Sequence, residues 1–141
     1  MFTVLYKRSQ CNWKIWSHSL NSSLNKMVHS LESIPSHAVL SNPGGTVSLS
    51  CKAIGYNFGH YGMSSWIRQP AGKALEWIGY IHSSGSTAYS DKLKNKFSIS
   101  RDTATNTITI GGQNLQTEDT AVYYCTRYTV TQNNGFSLQK L

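Results

Sequence analysis

The sequence of 141 residues contains no run of about 18 apolar residues, which is the length that a membrane-spanning helix needs. It also lacks the continuous apolar core of a secretory signal, because Lys7, Arg8 and Lys14 interrupt the apolar residues near the start. We therefore predict neither a membrane span nor a working signal peptide. Helical periodicity longer than one turn is missing as well, which argues against a helical fold class.

Side chains at the spacing of a metal centre are also missing. The five histidines, at positions 18, 29, 37, 60 and 82, do not combine with Cys, Asp or Glu at ligand spacing. The Gly-Gly pairs at 44–45 and 111–112 are not followed by the helix and the Lys-Ser/Thr of a phosphate-binding loop, so they indicate turns. We predict no cofactor, no metal site and no enzymatic activity.

Acidic residues are scarce, with six Asp and Glu against 13 Lys and Arg, and the formal net charge is +7. The imbalance is concentrated in residues 1–30, which hold four Lys and Arg and no acid. Residues 31–127 hold eight Lys and Arg against six acids, so the basic character belongs to the head of the chain. We therefore predict no nucleic-acid partner.

Short alternating runs separated by turn clusters begin at about Leu31. The clusters fall at 42–45, 70–72 and 82–86, and they are rich in Gly, Pro, Ser and Asn, which favour chain reversal. A chain of this length can bury one good core, and nothing supports a second domain. Short strands at this spacing are typical of an all-β domain, which we predict here.

Period-two alternation marks the individual strands. Val47, Leu49 and Cys51 alternate with hydroxyl residues, so one face of this strand is apolar and the other polar. Apolar residues alternate on both sides of a polar reversal within residues 96–110, which predicts a hairpin. The stretches SSWIRQ (64–69) and ALEWIGYI (74–81) predict two further strands joined by a turn that contains Pro and Gly.

A distinctive set of cysteine and tryptophan positions lies on these strands. Cys51 and Cys125 are 74 positions apart, and Trp66 follows the first cysteine by fifteen residues. The accompanying segments are WIRQPAGKALEWIG (66–79), KFSISRDTATNTITI (96–110) and TEDTAVYYC (117–125). Through these residues the sequence resembles an immunoglobulin V-set domain, and more narrowly a heavy-chain variable segment.

The resemblance implies an antiparallel β-sandwich of Greek-key connectivity, with a disulfide between Cys51 and Cys125 and Trp66 packed against it. Tyr123, whose hydroxyl should bond back to the preceding loop, and Leu115 are further core positions. A disulfide that closes so long a loop is worth about 4 kcal/mol on the chain-entropy argument. It needs an oxidising compartment, so we expect an extracellular product, secreted or on the B-cell surface as part of an immunoglobulin.

Two further positions match charged residues of the family. Lys96 and Asp119 stand where the family has a cation and a carboxylate that meet under the sheet, so we predict an ion pair. Lys lacks the two-pronged geometry of Arg, and the pair is expected to be weaker for that reason. Cys11 is left over in this scheme, and we assign it no role.

By resemblance, antigen contact falls on loops at one end of the sandwich, where the framework fixes the loop ends. The first loop is 55–65 and the second is about 80–89, and both are rich in Tyr, Ser, Gly and His, as binding loops are. The predicted contact residues are Asn57, His60, Tyr61, Tyr80, His82, Ser83 and Ser84. Tyr56 and Phe58 are instead expected to pack inward as loop anchors.

A second surface is implied by the heavy-chain resemblance, because heavy-chain variable domains pair with a light chain through the sheet that holds Trp66. The matching positions are Ile67, Gln69, Ala74, Leu75, Trp77 and Tyr124. Apart from Gln69 these residues are apolar or aromatic, and an apolar patch of this kind left in water favours aggregation. We therefore predict a light-chain interface. The alternative for Trp77 is that it only covers the base of the second loop.

The two ends of the chain differ from the domain. We predict a head outside the domain over residues 1–30, a V-set domain over 31–127 and a tail over 128–141, with the last strand of the domain not encoded. Tyr128-Thr129-Val130 fits a codon run containing CACAGTG, the heptamer of a recombination signal, and residues 139–141 fit its nonamer. The head fits a leader remnant at 28–30 preceded by intron sequence. The chain is then an unrearranged germline segment conceptually translated.

Two functional classes follow. The first is the antigen-binding module of an immunoglobulin heavy chain, which functions after joining to further segments. The second is a stand-alone V-set receptor or adhesion module, which would need a last strand and a membrane span in continuous frame. The missing pattern of a last strand favours the first class. The sequence does not identify the antigen, because we find no third variable loop in it.

Overall fold

The structure is a computed structural model, and it describes residues 2–6, 30–55, 57 and 63–128. Within these residues the chain forms ten β-strands and one short 3-10 helix. The strands are β1 Phe2–Tyr6, β2 Ser30–Ile34, β3 Val39–Ser41, β4 Gly45–Ile54, β5 Met63–Pro70, β6 Glu76–His82, β7 Thr87–Tyr89, β8 Phe97–Asp102, β9 Thr107–Leu115 and β10 Ala121–Tyr128, and the helix spans Thr117–Asp119.

The strands form two sheets. The larger sheet has the order β3-β1-β10-β5-β6-β7, and the smaller one has the order β2-β4-β9-β8. Every described pairing is antiparallel except that of β1 with β10, which is parallel. The predicted all-β fold of two antiparallel sheets is confirmed.

Alternation of apolar and polar residues decides which face of each strand is buried. On β4 the side chains of Val47, Leu49 and Cys51 are buried, while the hydroxyl residues between them are exposed or half-buried. In the β8–β9 hairpin Ile99 lies opposite Ile110, and both are buried. Side chains that alternate with a period of two place all their apolar members on one side of a sheet, so these strands share one core.

Short hydrogen-bonded turns connect the strands. In the β5–β6 turn the N–H of Lys73 donates to the carbonyl of Pro70 at 3.0 Å, and Gly72 takes a φ of +69°, which glycine adopts without strain. In the β8–β9 turn the carboxylate of Asp102 accepts the N–H of Ala104 at 2.9 Å. These contacts fix the register of the strands on either side.

The core lies between the two sheets and is crossed by the disulfide. Cys51 on β4 and Cys125 on β10 are bonded, with their Cα atoms 6.6 Å apart, so the predicted pairing is confirmed. Trp66 is fully buried, and the side chains of Tyr123 and Leu115 are 1% exposed. The disulfide therefore joins one sheet to the other at the position where the indole of β5 is buried.

The first strand of the chain differs from the sequence prediction. Residues 2–6 had been assigned to a head outside the domain, but they form β1, which lies in the larger sheet between β3 and β10. The sequence FTVLY is rich in aromatic and β-branched residues, which favour strands. An uncovered sheet edge readily pairs with such a segment, whatever its distance along the chain.

Candidate functional site

The outer side of β10, β5 and β6 carries a row of apolar and aromatic side chains, which we call the apolar face. Tyr124 on β10 lies opposite Ile67 on β5, and Ile67 lies opposite Trp77 on β6. Tyr124 and Ile67 are half-buried, Trp77 is 41% exposed, and Leu75 next to the row is 51% exposed. The structure thus brings together the residues that the resemblance assigned to a partner surface.

Gln69 lies two residues further along β5, at the border of the apolar face. Its side chain is exposed, and its Nε2 donates to the carbonyl of Lys73 at 3.2 Å, in the turn between β5 and β6. Ala74, which follows this turn, is exposed as well. The apolar row therefore ends in polar groups on the side of the β5–β6 turn.

A β-bulge in β6 places two aromatic rings on the same side of the sheet. Trp66 pairs with Gly79 while Ile67 pairs with Trp77, so one residue of β6 is additional. Residues three apart in a regular strand point to opposite faces, but the bulge allows Trp77 and Tyr80 to approach with their ring centroids 6.2 Å apart. Trp77 therefore contacts the first residue of the second loop, and it also remains substantially exposed.

The outer side of the smaller sheet has a different chemistry. Ser98 and Ser100 on β8 are exposed, and the hydroxyls of Ser50 and Thr109 on the neighbouring strands are 2.7 Å apart. Lys52 continues this polar surface along β4. Hydroxyl and charged groups are well hydrated, so this sheet can face water, whereas the apolar face exposes aromatic and aliphatic groups.

The loops that carry the predicted antigen contacts leave the larger sheet at one end. Met63 at the start of β5 lies opposite both His82 near the end of β6 and Tyr128 at the end of β10. Residues 55–62, the β6–β7 turn and the chain after 128 therefore begin or end at the same edge. We call this edge the loop end.

Only part of the first loop belongs to the described residues. Asn57 is exposed, whereas His60 and Tyr61, together with Tyr56 and Phe58, lie outside the described residues, so their roles stay predictions. In the second loop Tyr80 and Ser83 are half-buried, and His82 and Ser84 are exposed. These are the positions from which side chains can reach a bound molecule.

The β6–β7 turn is held by its own hydrogen bonds. The N–H of Ser84 donates to the Nδ1 atom of His82 at 3.1 Å. The hydroxyls of Ser84 and Ser86 are 3.0 Å apart, and Gly85 takes a φ of +92°. From β8, the guanidinium of Arg101 donates to the carbonyl of Ser83. A turn ordered before binding loses less conformational entropy when it binds.

A buried charge cluster lies at the opposite end of the larger sheet. Arg68 on β5 is 5% exposed, and its Nη1 donates to Asp119 Oδ1 at 2.9 Å. Its Nε donates to Glu76 Oε2 at 2.8 Å. Lys96 lies 2.9 Å from the other carboxylate oxygen of Asp119, and Lys92 lies 3.0 Å from Glu76 Oε1. Asp119 thus contacts Lys96, as the resemblance implied, but also contacts Arg68.

Sequence reasoning missed Arg68, although the signal was available. On β5 the residue lies two positions after Trp66, so strand alternation places its side chain on the buried side. A buried guanidinium needs a carboxylate partner, and Asp119 was already placed under the sheet. The tyrosine hydroxyl completes the cluster, because Tyr123 donates to the carbonyl of Asp119 at 2.8 Å, as its position predicted.

The cluster shifts the acid–base behaviour of its carboxylates. Desolvation alone would raise the pKa of Asp119, but hydrogen bonds from Arg68, the N–H of Gln116 and Lys96 outweigh it, and the pKa lies below its ordinary value. The pKa of Glu76 is lowered in the same way, with desolvation outweighed by hydrogen bonds from Arg68 and Lys92. Burial raises the pKa of Tyr123, and the neighbouring Arg68 only partly counters that effect.

Other kinds of site were sought in the described part of the chain. It contains no cluster of three or more His, Cys, Asp or Glu side chains that could hold a metal ion. None of its helices has the length and apolar character that crossing a bilayer requires.

A comparison with protein families agrees with this architecture. The immunoglobulin V-set domain family matches residues 34–140, well over half of the chain. The match begins close to the predicted start of the domain, and it continues through residues that the sequence analysis assigned to the tail, of which 129–140 lie outside the described residues. With its two sheets, its joining disulfide and the indole buried beside it, this chain belongs to the immunoglobulin V-set family.

Proposed function

We propose that this chain is the antigen-binding module of an immunoglobulin heavy chain, paired with a light-chain variable domain and functional after joining to further segments. Members of the V-set family are generally non-enzymatic modules that bind other proteins, and they are typically extracellular. The proposal narrows this general role to one partner surface, the apolar face, and one ligand surface, the loop end.

The exposed apolar face is the observation that carries the proposal. It joins Tyr124, Ile67 and Trp77 in one cross-strand row and adds the exposed Leu75. Aromatic residues concentrated at the centre of a patch with a polar border are typical of protein interfaces. The outer side of the smaller sheet exposes the hydroxyl groups of Ser98 and Ser100 instead, so the apolar face is the better candidate for a permanent partner surface.

The arrangement of the loop end supports antigen binding. Tyr80 and His82 on β6 and Ser84 in the β6–β7 turn lie at the loop end, where β5 begins at Met63 and β10 ends at Tyr128. A light chain that covers the apolar face would lie next to this edge, since Trp77 and Tyr80 are in contact. The two proposed surfaces are therefore adjacent, and pairing would place loops of both domains around one ligand.

Light-chain pairing is tested by replacing Leu75→Arg together with Trp77→Gly in a domain completed by a joining segment after residue 127. We expect binding to a light-chain variable domain to weaken by about 100-fold or more, because apolar anchors are lost and an added charge must be desolvated. Titration calorimetry measures the Kd, and circular dichroism checks the fold.

A matched control places the same kinds of substitution on the other sheet. Ser98→Arg with Ser100→Gly changes two exposed residues of β8, and it should leave the Kd for the light chain unchanged. If the apolar-face variant pairs as well as the parent, the heavy-chain assignment of this surface is wrong. Binding of the apolar face to a second copy of the chain instead would favour an adhesion module.

The germline part of the proposal rests on the residues after Arg127 and is tested at the level of DNA. We expect the nucleotides that encode residues 128–141 to contain the heptamer, spacer and nonamer of a recombination signal. A reading frame that continues into a last strand and a membrane span would support a stand-alone receptor and contradict this part.

A further inference from the structure

Among the strands that the structure describes, β1 is the one that joins β3 to the rest of the larger sheet. Its first residues pair antiparallel with β3, with Phe2 opposite Ser41 and Val4 opposite Val39. Its last residues pair parallel with β10, with Leu5 opposite Val122 and Tyr6 opposite Tyr123. In the order of the larger sheet, β1 thus lies between β3 and β10.

The edge of β10 explains why such a strand is needed. On one side β10 pairs with β5 along its whole length, from Ala121 opposite Pro70 to Tyr128 opposite Met63. On the other side the described pairing is with β1. Loss of β1 would remove the described partner of this edge at Val122 and Tyr123, and an uncovered strand edge is the usual starting point of edge-to-edge aggregation.

From this arrangement we propose that the cleft between β10 and β3 is a strand-accepting site, and that residues 2–6 of the same chain occupy it as a built-in donor strand. Recognition of this kind rests on main-chain hydrogen bonds, so it requires an extended segment and tolerates many side chains. The inference goes beyond antigen and light-chain binding, because it assigns a role to the head of the chain whatever the domain binds.

The connection between β1 and β2 allows the strand to come from the same molecule. Residues 7–29 join Tyr6 to Ser30, and an extended segment of that length reaches roughly 70 Å, about twice the width of a small domain. The same reach would permit exchange of the strand with a second copy. We assign the strand to its own chain, because a segment tethered to the same molecule meets the cleft at a high effective concentration.

The test compares two double variants of the full chain. Val4→Pro with Leu5→Pro removes two backbone N–H groups from consecutive residues, which in a strand point to opposite neighbours. Val4→Ala with Leu5→Ala removes the same side chains and keeps both N–H groups. We expect the proline variant to unfold about 5 °C below the parent and the alanine variant to stay much closer to it.

Hydrogen exchange shows whether the change occurs at the proposed site. In the proline variant, peptides covering 39–41 and 121–123 should exchange faster than in the parent, whereas those from β8 and β9 should not change. If the proline variant does not fold at all while the alanine variant folds, this result also supports main-chain pairing by β1. Equal behaviour of the two variants in unfolding and exchange would overturn the proposal, because main-chain pairing would then contribute nothing.

Addition of the strand as a separate peptide tests whether the cleft accepts one. A peptide of residues 1–8 should restore protection at 39–41 in the proline variant, and the same peptide with proline at positions 4 and 5 should not. Lack of rescue by the first peptide would overturn the strand-accepting site. Light scattering provides the last check, because a dimer whose protection at 39–41 is lost on dilution would overturn the assignment to one molecule.

Discussion

At the scale of single residues, Asp119 is the most constrained polar group of the described domain. Its side chain is fully buried and accepts hydrogen bonds from Arg68, from Lys96 and from the N–H of Gln116. A carboxylate with so many donors is stable in the interior only as the anion. The guanidinium of Arg68 depends on this carboxylate in turn, because Arg68 is only 5% exposed and water cannot take the place of the anion.

This arrangement predicts how stability depends on pH. The pKa of Asp119 in the folded state lies below its ordinary value of 3.8, so in acid the unfolded state binds the proton first. The stabilisation is therefore complete above about pH 5 and is lost as the pH falls through the lowered pKa. Asp119→Asn should cost about 3 kcal/mol at pH 7, because two cations lose their anionic partner. In the same variant the free energy of unfolding should fall less steeply as the pH is lowered below about 5.

Urea unfolding between pH 2 and pH 7 measures both effects. Asp91→Asn is the control, because that side chain is 99% exposed and faces Lys94 at 3.6 Å on the surface. We expect the control to follow the parent at every pH. If the free energy of unfolding falls equally steeply with decreasing pH in the Asp119 variant and in the parent, the role assigned to this carboxylate is wrong.

At the scale of elements, period-two patterning was enough to predict β4, the two strands around the β5–β6 turn and the β8–β9 hairpin. Each of these elements has apolar residues on one face and turn residues at its ends, so local sequence decides it. The buried Arg68 was missed because a charged residue seems foreign to a core until its partner is known. The pairing of β1 was missed because it depends on a vacant edge more than a hundred positions away.

The bulge in β6 is the element whose geometry depends most on one residue. Gly79 is buried where β6 approaches β7, and a Cβ there would meet the carbonyl oxygen of Ala88 at 2.6 Å. That neighbour is backbone and cannot rotate away. The same Cβ would meet side-chain atoms of Tyr89 and Ile99 at 3.0 and 3.1 Å. The close approach of β6 to β7 at this bulge therefore requires a glycine.

Gly79→Ala should lower the free energy of unfolding by about 2 to 3 kcal/mol, because β6 or β7 must shift to admit the methyl group. Gly72→Ala is the matched control. Gly72 has a positive φ, but an added Cβ there has no atom within 4 Å, so the cost should stay near 1 kcal/mol. Chemical denaturation measures the free energy of unfolding of both variants. A smaller loss for Gly79→Ala than for Gly72→Ala would show that β7 can shift at little cost and would contradict this prediction.

At the scale of the whole molecule, four different boundaries of the sandwich are described. The smaller sheet exposes hydroxyl groups, the larger sheet exposes the apolar face, and the loop end is where β5 begins and where β6 and β10 end. The disulfide joins the two sheets through the core, so the surfaces keep fixed positions relative to each other. The remaining boundary is the edge of β10, where β1 pairs at Val122 and Tyr123.

That edge leads to the last prediction, in which residues 128–141 are replaced by the joining strand of a rearranged heavy chain. β1 pairs with β10 at Val122 and Tyr123, near the start of that strand, and a joining strand would add antiparallel pairing along the same edge. We expect the joined protein to unfold about 5 °C higher in a calorimeter than residues 1–141. The proline pair in β1 should then cost less, because the new strand covers the same edge. Equal midpoints for the two proteins would mean that residues 128–141 already function as a strand, and that their interpretation as a translated recombination signal is wrong.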